Sequence, residues 1–290
     1  MEFLGKIIIS GLMNGSVYGL VAIGFVLIYK SSLLLSFCQG NMLVFGAYSF
    51  WAFMIITGKT IFLSFMLAMV AGYMIGSLIE RITLRPLIGQ PMLAMVTITI
   101  FLAQVIDGII VLIWGSYPLQ QIEIFPRASL AIGKMVVTTE VLYAFGLAII
   151  AMVALMLFFR YTKIGLAMRG VAEGHQTMQA MGYSVKKILN ICWGVAGIVA
   201  TLGGILLGAT LGFQLTLSSI GILAIPAAFI GGLESPGGAI LGGLLIGIVE
   251  SIVSGYVGQA AGPPASFVIL IMVMFFKPEG FFGLKEIERV

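Results

Sequence analysis

Long apolar runs separated by short polar breaks fill this chain. The run from Ile7 to Tyr29 is too long for a signal-peptide core and has no small-residue cleavage site, so it reads as a retained first membrane span. Further runs cover residues 61–79, Met92–Trp114, Leu142–Phe159, Ile188–Leu211, Leu241–Ile252 and Ala265–Phe276. Two stretches interrupt the pattern. In KSSLLLSFCQGN, residues Lys30, Ser31, Ser32, Ser36, Gln39, Gly40 and Asn41 punctuate a sequence otherwise apolar to Trp51. This is either a turn between two helices or a broken helix at membrane depth, where exposed half-helix ends can form a binding site. Near the C-terminus, Ser219–Gly232 is too short to cross comfortably, and the glycines Gly231, Gly232 and Gly237 break the helix beside Glu234 and Pro236. The pattern predicts an all-α fold, a polytopic membrane helical bundle with broken segments. At about 20 residues per span the chain holds roughly eight or nine transmembrane helices. Residues 1–290 read as a single transmembrane domain.

Composition excludes a soluble domain. Hydrophobic residues make up 60% of the chain, charged residues 9%, and the mean hydropathy is +1.16, whereas a soluble domain carries about 25% charge. The charge distribution sets the orientation. Residues 160–187 hold Arg160, Lys163, Arg169, Lys186 and Lys187, five of the fifteen basic residues, and such density marks the cytoplasmic side. Arg81 and Arg85 near Glu80, and a tail with Lys277, Lys285 and Arg289, belong to the same side. Residues 115–139, with Glu123 and Arg127, form a mixed-charge loop on the outer face. The net charge of +4 therefore reports topology and contact with anionic lipid, not nucleic acid binding.

Between Arg160 and Lys187 the apolar residues recur at helical spacing. Ile164, Met168 and Val171 make one stripe, Gly174 interrupts, and Met178 and Met181 make a second, ended by Gly182. Two short helices outside the membrane are predicted. A connection needs only a few residues, so an ordered, partly apolar cytoplasmic segment is a candidate docking surface, the alternative being an interfacial loop resting on headgroups.

Candidate chemistry is sparse. No nucleophile elbow, zinc motif or dinucleotide fingerprint is present, and Gly58-Lys59-Thr60 lacks the upstream glycine of a P-loop, Phe53 standing there instead. An enzyme is not expected. Cys38 and Cys192 have no metal or redox spacing and read as packing residues, and His175 has no second ligand nearby. Asn14 inside the first span should face protein or a water-filled cavity. Thr97 and Thr99 lie in the Met92–Trp114 run with Asp107, and Glu250 lies in a later run. Those two acids would allow a proton-coupled secondary transporter. That reading leaves residues 160–187 without a role, whereas energy from a separate cytoplasmic ATPase requires such an external segment.

Four stretches resemble LivH-type permease subunits of the branched-chain amino-acid ABC importers. They are NGSVYGLVAIGFVLIY followed by GNMLVFGAY; ERITLRPLIG; IGLAMRGVAE through AMGYS; and AIPAAFIGGLESPGGAILGGLLIGIVES. The resemblance runs from about Asn14 to Gly280 and implies a multi-pass permease of a bacterial or archaeal cytoplasmic membrane. It further implies a second, LivM-like permease, two ABC ATPase subunits that bind the ATP and magnesium, an extracytoplasmic substrate-binding protein, and no cofactor in this chain. Gly165, Arg169, Glu173, Met181 and Gly182 would form the ATPase-coupling segment. An apolar, branched-chain amino acid is the expected cargo, with Asn14, Gln39, Asn41, Thr97 and Thr99 along its path and Gly231, Gly232 and Gly237 at a gate or helix break. Permeases of the same architecture for urea, amides or sugars are the alternative. The chain departs from the family in two places. SFCQGN stands where relatives tend to have NFAHGD, and Gly174–Met178 stands where they usually have an acidic residue and paired alanines.

Overall fold

A computed structural model of the chain describes residues 2–87, 90–126, 128–132 and 135–283. Arg127, Lys285 and Arg289 lie outside the described residues. Helices dominate: α1 (Glu2–Ser32), α2 (Gln39–Ile56), α3 (Ile61–Ile79), α4 (Met92–Trp114), α5 (Thr139–Tyr161), α6 (Lys163–Glu173), α7 (His175–Ala180), α8 (Val185–Leu211), α9 (Ser218–Gly231), α10 (Pro236–Tyr256) and α11 (Gly262–Phe276). Among the described residues eight helices are long and apolar enough to cross a membrane, and a shorter apolar one spans Leu215–Gly231. The protein is a multi-pass membrane bundle. The outer loop contains one element absent from the sequence reading, a small antiparallel hairpin of β1 (Ser129–Ile132) and β2 (Met135–Thr138). Its second strand reads MVVT, and β-branched residues favour extended backbone once the chain has left the helix-favouring bilayer.

Glycine seams hold the bundle together. Gly11, Gly15 and Gly19 of α1 recur every four residues and face Gly243 and Gly247 of α10. A Cβ at Gly11 or at Gly15 would stand 2.7 Å from α10 backbone atoms, so the two backbones touch directly. In lipid such close van der Waals packing replaces the hydrophobic effect as the source of association. Helix α8 uses the same device twice, with Gly197 against Gly72 of α3 and Gly204 against the Leu43 carbonyl of α2. Helices α1 and α8 are therefore largely enclosed, whereas α3, α4, α5 and α11 turn most of their surface outward.

Basic side chains collect at one end. Lys30 ends α1, Arg81 and Arg85 follow α3, Arg160 ends α5, and Lys186 and Lys187 open α8. Contacts tie these ends together: Arg85 donates to the Lys186 carbonyl, and Lys30 donates to the Glu234 carbonyl. By the positive-inside rule this end is the one expected on the cytoplasmic side. Leu119 N–H donates to the Phe213 carbonyl and Trp51 Nε1 to the Gln120 carbonyl at the opposite end, fastening the outer loop down.

Candidate functional site

Helix α1 stops because its own serines compete for the backbone. Ser31 and Ser32 both donate to the Ile28 carbonyl, and Leu33 turns into a left-handed cap at φ 53° while its N–H still bonds Tyr29. Residues 34–36 then run back irregularly, and α2 begins at Gln39. Its starting point decides between the two readings of this stretch. Gln39 packs on Gly24 of α1 and donates its Nε2 to the Ala196 carbonyl of α8 at 3.2 Å. Gly24 is eight residues from the Ser32 end, about 12 Å at 1.5 Å per residue. Ala196 is eleven residues into α8, about 16 Å by the same rise. Those depths place the turn inside the bundle, below the helix ends, while α2 from there on is still about 27 Å long and reaches the opposite end. The stretch is a break buried inside the bundle and not a turn at its surface.

Non-helical backbone inside the bilayer must find its partners within the protein. Phe37 N–H donates to Thr99 Oγ1, which itself donates to the Val96 carbonyl. Ser36 Oγ and Cys38 Sγ share a hydrogen bond. The first turn of α2 has no side-chain cap, so its N–H groups and the positive end of its dipole point into the interior of the bundle. Gly40 lies so close to Gly221 of α9 that neither could carry a Cβ, which brings the α9 entrance onto this turn. Gln39 Oε1 is buried without a partner among the described residues.

Gln39, Asn41 and Thr99 are buried around this break. Two other expected residues are not. Thr97 is exposed on α4 and bonds back to the Leu93 carbonyl, because two positions along a helix turn a side chain by about 200°. Asn14 is exposed on α1, ten residues before Gly24 and hence about 15 Å away along the helix. It faces outward rather than into this chain. Asp107 on α4 and Glu250 on α10 are both partly buried on separate helices, α4 packing on α2 and α10 on α1 and α9. Glu250 meets the Tyr18 hydroxyl of α1 instead.

Gly231 and Gly232 end α9 at the cytoplasmic end. Phe281 and Phe282 donate their N–H groups to the Ile230 and Gly231 carbonyls, so the C-terminal segment supplies the partners that α9 lacks. Gly232 adopts φ 97°. Ser235 then caps α10 by accepting from Gly238 N–H, with Pro236 in the first turn. Gly237 is partly exposed in that turn.

The segment after α5 forms two helices outside the long spans. Thr162 caps α6 by accepting from Gly165 N–H, and Met168 and Val171 are buried beneath it. Ile164, expected on the same stripe, is exposed, and Gly165 takes its place against the Phe158 and Phe159 carbonyls. Gly170 rests on the Met178 sulfur, which folds α7 onto α6. Gly182 ends the pair at φ 83°, its N–H bonding Gln179 while Tyr183 N–H bonds Met178. Leu166, Met181 and Tyr183 stay exposed beside Arg169, Glu173 and Thr177 around one open groove.

A buried polar cluster that the sequence reading passed over supports this segment. Glu80 is 2% exposed and accepts from Arg85 and from Asn190 Nδ2 at 2.7 Å. Ser77 donates to Asn190 Oδ1, and the Asn190 amide returns a bond to the Ser77 carbonyl. These bonds clamp a π-helical turn at the end of α3 onto the start of α8. The signal available was the sequence ERITLR, an acid with bases one and five residues on, but Asn190 gave none.

A family model described as "Branched-chain amino acid transport system / permease component" matches residues 7–277. The chain belongs to this permease family. It is 28% identical to the high-affinity branched-chain amino acid transport system permease protein LivH of Escherichia coli K12, over 97% of this chain and 96% of that one. Identity is 29% to BraD of Pseudomonas aeruginosa, covering 98% and 97%, and 28% to the probable LivH of Methanocaldococcus jannaschii, covering 98% and 95%. No solved structure matches. The four stretches that resemble LivH-type permeases thus belong to a match along nearly the whole chain, and the chain is a transport permease. A proton-driven transporter using Asp107 and Glu250 is not favoured by this membership.

Proposed function

We propose that this chain is one permease subunit of an ATP-driven importer for branched-chain or similarly apolar amino acids. It pairs with a second permease, receives cargo from an extracytoplasmic binding protein, and is driven by two cytoplasmic ATPases that bind the ATP and magnesium. The membrane is the cytoplasmic membrane of a bacterium or archaeon. This chain needs no cofactor of its own.

The observation that carries the reading is the uncapped start of α2, buried inside the bundle. A zwitterionic amino acid needs donors for its carboxylate and acceptors for its ammonium group. The N-terminal turn of α2 offers N–H groups and a positive dipole end, and the free Gln39 Oε1 offers an acceptor. Around them Leu34, Cys38, Met42 and Leu43 provide apolar surface for a branched side chain. In this closed arrangement Gln39 has no access to water, so cargo would reach it only when α1 and α2 separate from α9. The exposed groove on α6 and α7 is where an ATPase could drive that movement, with Gly165 and Gly182 shaping the pair and Arg169, Glu173 and Met181 at its surface. Asn14, on an outward face, would meet the second permease or the path between the two.

Uptake of labelled leucine into vesicles containing the purified complex tests the reading. Replacing both Gln39 and Asn41 by Ala is expected to lower uptake about tenfold, the loss of one or two hydrogen bonds of about 1 kcal/mol each. Unchanged uptake would remove these amides from the path. A chain that purifies without ATPases and carries leucine on a proton gradient would overturn the importer itself.

A further inference from the structure

We propose that a cavity at the cytoplasmic end, between α1, α5, α6 and the start of α10, binds the headgroup of an anionic phospholipid from the inner leaflet. The cavity measures about 330 Å³. Lys30, Arg160 and Arg169 line it from three different helices, and no acidic residue does. Among the described residues none of these cations forms an ion pair, whereas Arg85 pairs with Glu80. Among the described residues Arg169 Nε is buried without a partner, and Arg169 Nη2 donates over a long 3.4 Å to the Arg160 carbonyl. Glu234 and Glu173 lie near Lys30 but outside the lining, and Arg169 faces Lys30 as a like charge. An anion between these cations would remove that repulsion.

The rest of the lining identifies the kind of anion. Val153 and Leu157 of α5 border the cavity and are about half exposed toward the surrounding lipid. The mouth is therefore apolar while the floor is cationic, which suits a molecule with acyl chains outside and a phosphate inside. A soluble anion would have no use for the apolar wall. Pro236 and Gly237, in the first turn of α10, close another side and add the positive end of that helix dipole. Basic pockets between transmembrane helices on the cytoplasmic side are physically suited to anionic headgroups, where the leaflet itself is negative. The cavity abuts α6, so a bound lipid would brace the elbow between α5 and the cytoplasmic helix pair. None of this depends on the cargo; it requires that the α5 mouth face lipid and not an accompanying subunit.

The test is lipid retention. The protein, in the assembly in which it leaves the membrane, is extracted in mild detergent and washed, and its bound phospholipids are quantified by mass spectrometry against the bulk membrane. Wild type is expected to be enriched in phosphatidylglycerol or another anionic lipid over phosphatidylethanolamine. The double variant K30Q/R160Q is expected to lose about 25-fold in that enrichment, roughly fivefold for each cation of about 1 kcal/mol. R160K, which keeps the charge, should retain the lipid. L157W, which fills the mouth and leaves every charge in place, should expel it and serves if the double variant fails to assemble. Equal retention in wild type, K30Q/R160Q and L157W would overturn the proposal. So would a cross-link from Leu157→Cys to a protein subunit in place of lipid.

Discussion

Glu80 shows what a single polar side chain does in this bundle. Its carboxylate is held by Arg85 and Asn190 in a site almost closed to water, so each of its bonds lacks competition from solvent. Removing the charge leaves Arg85 without its partner, although Arg85 is partly exposed and can recover some hydration. Glu80→Gln is expected to cost about 2 kcal/mol, below the 3–5 kcal/mol of a fully buried pair. It would register as a lower midpoint of thermal unfolding in detergent, with Glu80→Ala falling further. At Gly24 and Gly40 the constraint is steric instead. A side chain at Gly40 would meet α9 backbone, so that glycine is required by close approach, whereas one at Gly24 would have to push the Gln39 amide off its seat. The sequence made Gln39 and Asn41 visible as polar interruptions of an apolar run. It could not reveal the acceptor Ala196 or the packing of Gly24, because both lie on helices distant in sequence. Asn190 and Thr201 were illegible for the same reason: Thr201 is an ordinary residue until Gly46 and Gly72 are found pressed against it.

Among elements, the pair α6–α7 was the most legible. Polar flanks, apolar spacing and Gly182 all pointed to short helices outside the membrane, since amphipathic patterning has meaning only where one face meets water. The face was misjudged at Ile164 and at Met181, both of which are exposed. Gly182 has open space where a Cβ would sit, but its φ of 83° is unfavourable for other residues. Gly182→Ala is therefore a test of backbone conformation with no steric collision, expected to destabilise the end of α7 by about 1 kcal/mol. If the pair couples an ATPase, cargo-stimulated ATP hydrolysis should fall severalfold while the level of chain in the membrane stays constant. Normal stimulation in Gly182→Ala would show that coupling does not need this turn. The breaks around α2 and α9 were legible as interruptions and not as geometry. A run such as LLLSFC can hairpin at the surface or fold back at depth, and local pattern assigns the two the same residues. The Gly231–Gly232 break is capped by Phe281 and Phe282, a contact made by residues some fifty positions later.

The whole molecule is oriented by charge and assembled by glycine. With the basic residues at one end, Lys163 should lie on the cytoplasmic side and Lys59, in the tight turn between α2 and α3, on the other. Single cysteines placed at these two positions test this with a membrane-impermeant thiol reagent on intact cells. Lys59→Cys is expected to label directly and Lys163→Cys only after permeabilisation, against a quiet background because Cys38 and Cys192 are both buried. The reverse pattern would invert the topology. Composition, run length and the distribution of lysine and arginine determined by themselves that this is a multi-pass helical membrane protein, roughly how many times it crosses and which way it is expected to face. Those properties follow from transfer of each segment between water and lipid, a free energy that every segment carries locally. Tertiary structure alone decided which polar residues meet. It buried Gln39, Asn41 and Thr99 around one break, left Asn14 and Thr97 on outward faces, and turned Lys30, Arg160 and Arg169 toward one cavity. Helices apolar on every side have no face that sequence can assign, so in this bundle the pairing of backbones at glycine seams sets the rotation of each helix.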